Sequence, residues 1–325
     1  MRICIVGAGA IGGLLGVRLD HSGQTVSVLA RGENLEAIRS NGIKLVEPDG
    51  STLVATDIHA SDTLASLGQQ DVVILAVKSH QLAAISSGLS SLYDDETVVV
   101  PLQNGIPWWF FQQFPGPFEG YRLRSLDPEG VLDRDIPVER VLGSIAYPAV
   151  ERDAPGVMRL VEGDRFPVGE LSGERSERAV RVADVLTGAG FTSRVLTDIR
   201  SQLWIKAWGN LAFNPISALT RATLAEICRF PATRALASQM MLEASAIAEK
   251  LGIRLRISVE QRIDGAEKVG DHKTSMLQDL EAGRPLEIEA LVGSFVELGR
   301  LTDTPMPASN TVYDLVSLLN ARLLG

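Results

Sequence analysis

Along roughly the first two hundred residues, apolar positions come in short, nearly unbroken runs. Further on they recur at helical spacing. Residues 2–6 (RICIV) and 25–29 (TVSVL) each read as a buried strand, covered on both faces. Between them Gly7-Ala8-Gly9 is a turn and Ala10 to Asp20 reads as a helix, giving a strand–helix–strand unit of about thirty residues. Glu33 to Ser40 predicts a short helix that ends near Asn41-Gly42. Short strands are expected at Lys44–Val46 and Leu53–Ile58, around the turn Asp49-Gly50. Apolar strands follow at Asp71–Val77 and Thr97–Leu102, and strand-like segments at Val141–Ala146, Gly156–Val161 and Arg165–Val168. Ser176–Ala189 reads as a helix and Thr192–Val195 as the last strand. Strands alternating with helices imply a parallel sheet with helices on both faces.

From about Asp198 the texture becomes helical, with long segments at Ala232–Leu251, Ile288–Leu301 and Ser309–Leu323. The expected fold is an α/β domain over residues 1–196, followed by an all-α domain over 197–325. Residues 106–140 interrupt this pattern. Seven aromatics, Trp108, Trp109, Phe110, Phe111, Phe114, Phe118 and Tyr121, fall within fourteen positions, and Pro115-Gly116-Pro117 argues against a regular helix there. Such a cluster reads either as a lid, substrate wall or subunit contact, or as satellite core beneath a long loop.

A chain of 325 residues is long enough for two domains. Hydrophobic residues at 45% and charged residues at 22% suit a globular enzyme rather than a disordered chain. Lys+Arg 31 against Asp+Glu 40 leaves −9, a balance that argues against nucleic acid as a general partner. Cys4 and Cys228 match no disulfide or metal spacing, so no metal site is expected and a cytoplasmic location is. The apolar stretch Ile3–Val17 resembles a targeting segment only superficially. Five glycines break it, only Arg2 precedes it, and nothing else approaches a membrane span.

The chemistry begins at Gly7-Ala8-Gly9-Ala10-Ile11-Gly12, a G-x-G-x-x-G pattern that follows a strand and opens a helix. The first glycine permits the turn, the second lets backbone approach a pyrophosphate, and the third lets helix and strand pack closely. The second strand ends at Arg31 instead of an acidic residue, which points to the 2′-phosphate of NADP(H); Glu33 fits better as a first-turn helix acid. Lys78 and Asn104 follow two further strands, where an α/β sheet places its ligands. Each also reads plainly, as a surface lysine and as an Asn-Gly turn. In Ser201–Asn214 (SQLWIKAWGNLAFN), Lys206, Asn210 and Asn214 are spaced i, i+4, i+8 on one face of an otherwise apolar helix, which Pro215 ends or kinks. Desolvation there would lower the lysine's pKa and make it a useful proton donor; the face also reads plainly, as a partly exposed stripe with Lys206 snorkelling. Thr274 or Ser275 reads as a helix N-cap, and Glu287 as a first-turn acid of the next helix.

Taken together, GAGAIGG, Lys78 after AVK, QNG at 103–105, K-x3-N-x3-NP at 206–215 and TSMLQD…E at 274–287 make the chain resemble the ketopantoate reductase family. The resemblance implies an N-terminal Rossmann-type dinucleotide-binding domain, an all-α C-terminal domain, and NADPH-dependent reduction of a small-molecule 2-oxo acid, with ketopantoate giving (R)-pantoate in pantothenate biosynthesis. It implies Lys206 as general acid, and Asn104, Asn210, Asn214 and Ser275 as substrate-binding residues. On the cofactor side it implies Gly7, Ala8, Gly9, Ala10, Ile11, Gly12, Arg31, Lys78, Asn104, Ala149 and Glu287. A homodimer without membrane attachment is expected. The alternatives are a same-fold reductase of another oxo acid or an imine, and an NADPH-binding sensor without turnover. The chain departs from the family's pattern at Arg221–Leu224, where an asparagine is common, and in the aromatic stretch after Asn104.

Overall fold

The run RICIV becomes β1 (Arg2–Val6), with every residue after Arg2 buried, because β1 is the middle strand of a five-stranded parallel sheet. The computed structural model describes all residues, Met1–Gly325. It divides into two compact units. One comprises Met1–Gln103, Phe111–Tyr121 and Gly130–Ile199; the other comprises Asn104–Phe110, Arg122–Glu129 and Arg200–Gly325.

In the first unit β1 leads through α1 (Ala10–His21) to β2 (Thr25–Leu29), and then to α2 (Gly32–Asn41). Two short strands follow, β3 (Ile43–Val46) and β4 (Thr52–Ala55), and then β5 (His59–Ser61). Next come β6 (Val72–Leu75), α3 (Ser79–Ser86) and β7 (Val98–Pro101). After α4 (Val131–Asp135) the chain forms β8 (Leu142–Ser144), β9 (Ala149–Ala154), β10 (Val157–Glu162), β11 (Val168–Glu170) and α5 (Glu177–Gly188). The parallel sheet has the order β5-β2-β1-β6-β7. The chain therefore leaves β1 toward β2 on one side and returns to β6 on the other. That switch opens a crevice at the carboxyl ends of β1 and β6, the place where such sheets hold ligands.

Strands β3, β4 and β10 were visible in the apolar pattern, but not their pairing with β9 into a second sheet, β4-β3-β10-β9. That sheet pairs β3 in parallel with β10, Lys44 opposite Val157, across more than a hundred residues of chain. Helix α1 packs against strands of both sheets, and its glycines make that possible. A Cβ at Gly12 would overlap the Gly7 carbonyl. One at Gly13 would run into Met158 of β10, and one at Gly16 would touch Ile43 of β3. Strand β9 escaped notice because four of its six residues are exposed and three of the six in its sequence, AVERDA, are charged. The strand expected at Thr192–Val195 does not form; Thr192 and Val195 make only single bridges to Arg165 and Val168. The strand expected over Leu53–Ile58 stops at Ala55.

The second unit is helical. It contains α6 (Ile199–Thr220), whose first residue belongs to the other unit, and α7 (Leu224–Arg229), α8 (Pro231–Lys250) and α9 (Val259–Val269). These are followed by α10 (Ser275–Glu281), α11 (Ser294–Leu301) and α12 (Pro307–Leu324). The α/β part and the all-α part read from the apolar pattern are observed, and the parallel sheet is of the Rossmann type that the resemblance implies. Helix α6 runs through Pro215 to Thr220 instead of ending there, so it forgoes the bond Pro215 cannot donate to the Leu211 carbonyl. Trp204, Ala207, Trp208, Leu211 and Ala212 are buried along α6 and anchor it. Glu243 of α8 is a buried carboxylate satisfied by the start of α12. It accepts from the Ala308 and Ser309 amides (2.9 and 3.0 Å) and from Ser309 Oγ (2.7 Å). No helix is long and apolar enough to cross a membrane.

The aromatic stretch is interior packing. Trp108 to Phe111 form one 3₁₀ turn, and all four side chains are buried, as is Phe114. Phe111 packs against Phe114, Phe118 and Tyr121, with ring centres 5.1, 6.0 and 5.7 Å away. In the helical unit Trp204 stacks at an angle on Phe110 (5.7 Å) and edge-on to Phe295 (5.1 Å). Of the readings open for this segment, satellite core is the one the packing supports.

Candidate active site

The glycine turn follows directly from the end of β1. The Gly7 and Ala8 amides both donate to the Leu29 carbonyl at the end of β2, at 3.1 and 3.2 Å. Gly7 sits at φ +108, and a Cβ there would lie 2.7 Å from Val77 Cγ1. Only glycine meets both demands. Gly9, the N-cap of α1, is the opposite case: a Cβ on it would meet nothing within 4 Å. The backbone therefore presents an open face just where α1 begins, and the first turn of α1 carries no acidic residue. Ala10 and Ile11 supply that first turn. An open backbone at a helix N-terminus suits a pyrophosphate, so these residues fit a dinucleotide.

Two supports of this turn were not legible in the sequence. Asn34, in the first turn of α2, donates from Nδ2 to the Ala8 carbonyl (2.8 Å) and accepts from the Gly156 amide (2.8 Å). It ties the glycine turn to the β9–β10 hairpin. Gln103, one residue before Asn104, donates to the Leu75 and Val77 carbonyls (2.9 and 3.0 Å) at the end of β6. Asn34 carried no signal, and Gln103 only that of belonging to the QNG motif; neither one's partners could be read, because they are distant in sequence.

Arg31 follows β2 as the N-cap of α2, with an exposed side chain. Lys78 is the N-cap of α3 after β6, and its backbone amide donates to Gln81 Oε1 (3.2 Å). Both stand at carboxyl ends of strands beside the glycine turn's own strand. Ala149 does not share that setting. It opens β9 in the second sheet, opposite Glu162.

The helical unit collects the other residues. Lys206 Nζ donates to Asn104 Oδ1 at 2.7 Å, joining residues 102 positions apart. Asn104 belongs to this unit together with Gly105 and Ile106. Gly105 has φ +83, and a Cβ on it would overlap the Ala290 carbonyl, to which the Ile106 amide also donates (3.1 Å). That carbonyl lies in a π turn, Glu289–Gly293, where a plain helix was expected. It also accepts from Ser294 Oγ (3.0 Å). The Asn-Gly pair is thus a fixed turn that aims Asn104 at the lysine.

Burial pushes the Lys206 ammonium down to about 8, and the nearby Glu287 carboxylate pulls the other way. Glu287 is itself buried and immediately precedes Ile288, where the helical segment begins. Asn210 is half-buried one turn along from Lys206. Asn214 is buried one turn further and donates from Nδ2 to Ser275 Oγ (3.3 Å). Thr274 is the N-cap of α10, its hydroxyl accepting from the Leu277 amide (3.3 Å), which leaves Ser275 as the first helical residue with an exposed side chain. The arrangement offers a proton donor of lowered pKa beside three neutral amides, a hydroxyl and one carboxylate. Such a set can polarise and protonate a carbonyl oxygen.

Known proteins resemble the chain along its whole length. The family described as Ketopantoate reductase PanE/ApbA matches residues 3–173, and its C-terminal counterpart matches residues 198–320. A 2-dehydropantoate 2-reductase of Mesorhizobium japonicum is 53% identical over 320 residues, 98% of each chain. A Ralstonia solanacearum MolK2 protein, solved as a candidate ketopantoate reductase, is 40% identical with a TM-score of 0.94, covering 99% of this chain and 98% of that one. The solved 2-dehydropantoate 2-reductase of Geobacter metallireducens GS-15 is 27% identical with a TM-score of 0.86, covering 98% and 99%. With its open glycine turn, its buried lysine–amide cluster and these matches across both units, the chain belongs to the ketopantoate reductase family.

Proposed function

We propose that this protein is an NADP-dependent oxidoreductase that reduces 2-dehydropantoate to (R)-pantoate, a step of pantothenate biosynthesis, with Lys206 as the proton donor. The hydrogen-bonded, desolvated Lys206 carries the reading. A reductase needs an acid at the carbonyl oxygen, whereas a sensor without turnover has no use for one. NADPH, when bound, supplies the hydride.

The chain's own residues do the rest. Gly7, Ala8, Gly9, Ala10, Ile11 and Gly12 hold the pyrophosphate at the start of α1, and Arg31 takes the 2′-phosphate. Lys78, Asn104, Ala149 and Glu287 complete the cofactor's contacts. Asn104, Asn210, Asn214 and Ser275 orient the oxo acid so that its carbonyl oxygen meets Lys206. As the carbonyl carbon is reduced, negative charge grows on that oxygen. The ammonium stabilises it and gives up a proton, leaving a hydroxyl and a neutral amine. Asn104 Oδ1 fixes the direction of Nζ throughout, which spares the reaction the entropy of finding that geometry.

A panel of 2-oxo acids, with and without amines, assayed by NADPH consumption tests the reading. Ketopantoate is expected to be turned over with the highest kcat/KM and no need of an amine. A better substrate elsewhere in the panel moves the assignment to that acid or imine, and tight NADPH binding without any turnover replaces it with a sensor. Arg31→Ala is expected to raise the KM for NADPH at least about tenfold, the loss of one charge-assisted contact, and to leave the KM for NADH nearly unchanged. Equal increases for both cofactors overturn the role of Arg31. The working form we propose is a cytoplasmic homodimer. In support, both cysteines are free and buried, and Leu315 and Leu318 stand exposed one turn apart on α12.

A further inference from the structure

Helix α2 begins loosely. Its N-cap, Arg31, makes no side-chain cap, and its first residue, Gly32, sits at φ +53 with nothing within 4 Å of where a Cβ would stand. The first bond of the helix, from the Leu35 amide to the Arg31 carbonyl, is long at 3.4 Å. The buried residues of α2, Leu35 and Ile38, lie beyond its first turn, whereas Arg31, Gly32 and Glu33 are exposed. Apolar packing therefore holds the helix from Leu35 onward and does not reach its start.

Asn34 holds the start instead. Its Nδ2 donates to the Ala8 carbonyl and its Oδ1 accepts from the Gly156 amide, both at 2.8 Å. A carbonyl can only accept and an amide N–H only donate, so the orientation of this side chain is unambiguous. Both partners are themselves fixed. The Ala8 amide is bonded to the Leu29 carbonyl (3.2 Å), and the Gly156 carbonyl accepts from the Lys44 amide of β3 (2.8 Å). Gly156 has φ +72 and lies against α2, where a Cβ would come within 3.4 Å of Ala37 Cβ. Asn34 is thus a strut between two rigid backbones, three residues after Arg31.

The glycine turn and Arg31 are the two places read above as holding the cofactor's phosphates. One molecule occupies both, so the second contact strengthens binding in proportion to how well its position is set in advance. We propose that Asn34 is a positioning residue for the 2′-phosphate contact: it fixes the start of α2, and with it Arg31, relative to the glycine turn, and so sharpens the preference for NADPH over NADH. Without the strut, the ligand itself would have to order the start of α2, an entropic cost that falls on NADPH alone. The Ala8 peptide would still keep its own bond to Leu29. This proposal rests on the reading of Arg31 as the 2′-phosphate ligand.

The test measures the Kd of NADPH and of NADH, by cofactor fluorescence, on full-length wild type, Asn34→Ala, Asn34→Ser, Arg31→Ala and the double variant Arg31→Ala/Asn34→Ala. Asn34→Ala is expected to weaken NADPH about fivefold and to change NADH by less than about twofold. Asn34→Ser, whose single hydroxyl cannot span both partners, should show the same split, so the result does not hang on the folding of one variant. In the double variant the Kd for NADPH should match that of Arg31→Ala to within about twofold, because Asn34 acts through Arg31. Equal weakening of both cofactors, or losses that multiply in the double variant, make Asn34 a support of the glycine turn alone; they overturn the proposal and leave the role of Arg31 in place. Arg31→Ala weakening NADPH and NADH alike overturns the reading of Arg31 and takes the proposal with it.

Discussion

Lys206→Ala is expected to lower kcat by about a thousandfold, the middle of the range for losing a general acid, while the Kd for NADPH stays unchanged. Stopped-flow turnover and fluorescence titration of the cofactor separate the two quantities. Loss of NADPH binding in this variant would assign Lys206 a structural role and remove it from the chemistry. The pH dependence adds an independent check. The donor must carry its proton, and burial brings its pKa down to about 8, so wild-type kcat/KM, which follows the free enzyme, should be level below that pH and fall above it. The falling limb should be missing from the residual rate of the variant.

The same shift has a consequence for stability. The folded pKa lies below the ordinary lysine value of 10.5, so between about pH 8 and 10.5 the unfolded chain binds more protons than the folded one. Stability from this group therefore rises with pH across that window, and at neutral pH the buried charge costs on the order of 3 kcal/mol. Lys206→Met removes the charge and keeps the volume. It leaves Asn104 Oδ1 without its partner, a smaller loss of about 1 kcal/mol. The inactive variant should consequently melt higher than wild type at pH 7, and the gap should close by pH 10. A gap that does not change with pH would mean the ammonium is well solvated.

Gly9→Val and Gly12→Ala should fail in opposite ways. The Gly9 position opens on free space, so a side chain there disturbs little of the fold but occupies the surface on which a pyrophosphate would rest. We expect NADPH affinity to fall at least about a hundredfold, equivalent to two lost charge-assisted hydrogen bonds, with Tm nearly unchanged. At Gly12 a methyl group runs into the backbone carbonyl of Gly7, which cannot move without distorting the turn. That variant should lose about 3 kcal/mol or more of stability, visible in the denaturant midpoint. Unchanged NADPH affinity in Gly9→Val would place the dinucleotide somewhere other than the glycine turn.

These pairs show which features a linear reading reaches. The β1–α1–β2 unit, the two long apolar strands and the alignment of Lys206, Asn210 and Asn214 follow from periodicity alone. The 3.6-residue and two-residue repeats are properties of the backbone, and they act on neighbours along the chain. Pro215 does not end α6, its missing hydrogen bond being outweighed by the buried tryptophans that anchor the helix, and local strength misled at Thr192–Val195, whose ladder finds only single bridges. The charged edge strand β9 was invisible because exposure leaves no apolar run to see.

What chain order could not supply is every contact that closes a long loop. Lys206 meets Asn104 across 102 residues, β3 meets β10 across more than a hundred, and Asn34 reaches Gly156 across 122. Such partners are selected by the joint packing of whole elements, whose loop-closure entropy and shape are not written in any short window. The glycines make the division plain. Their spacing announced a dinucleotide turn, yet the separate tasks of Gly7, Gly9, Gly12 and Gly105 depend on what stands opposite each missing Cβ, and that is settled by folding in three dimensions.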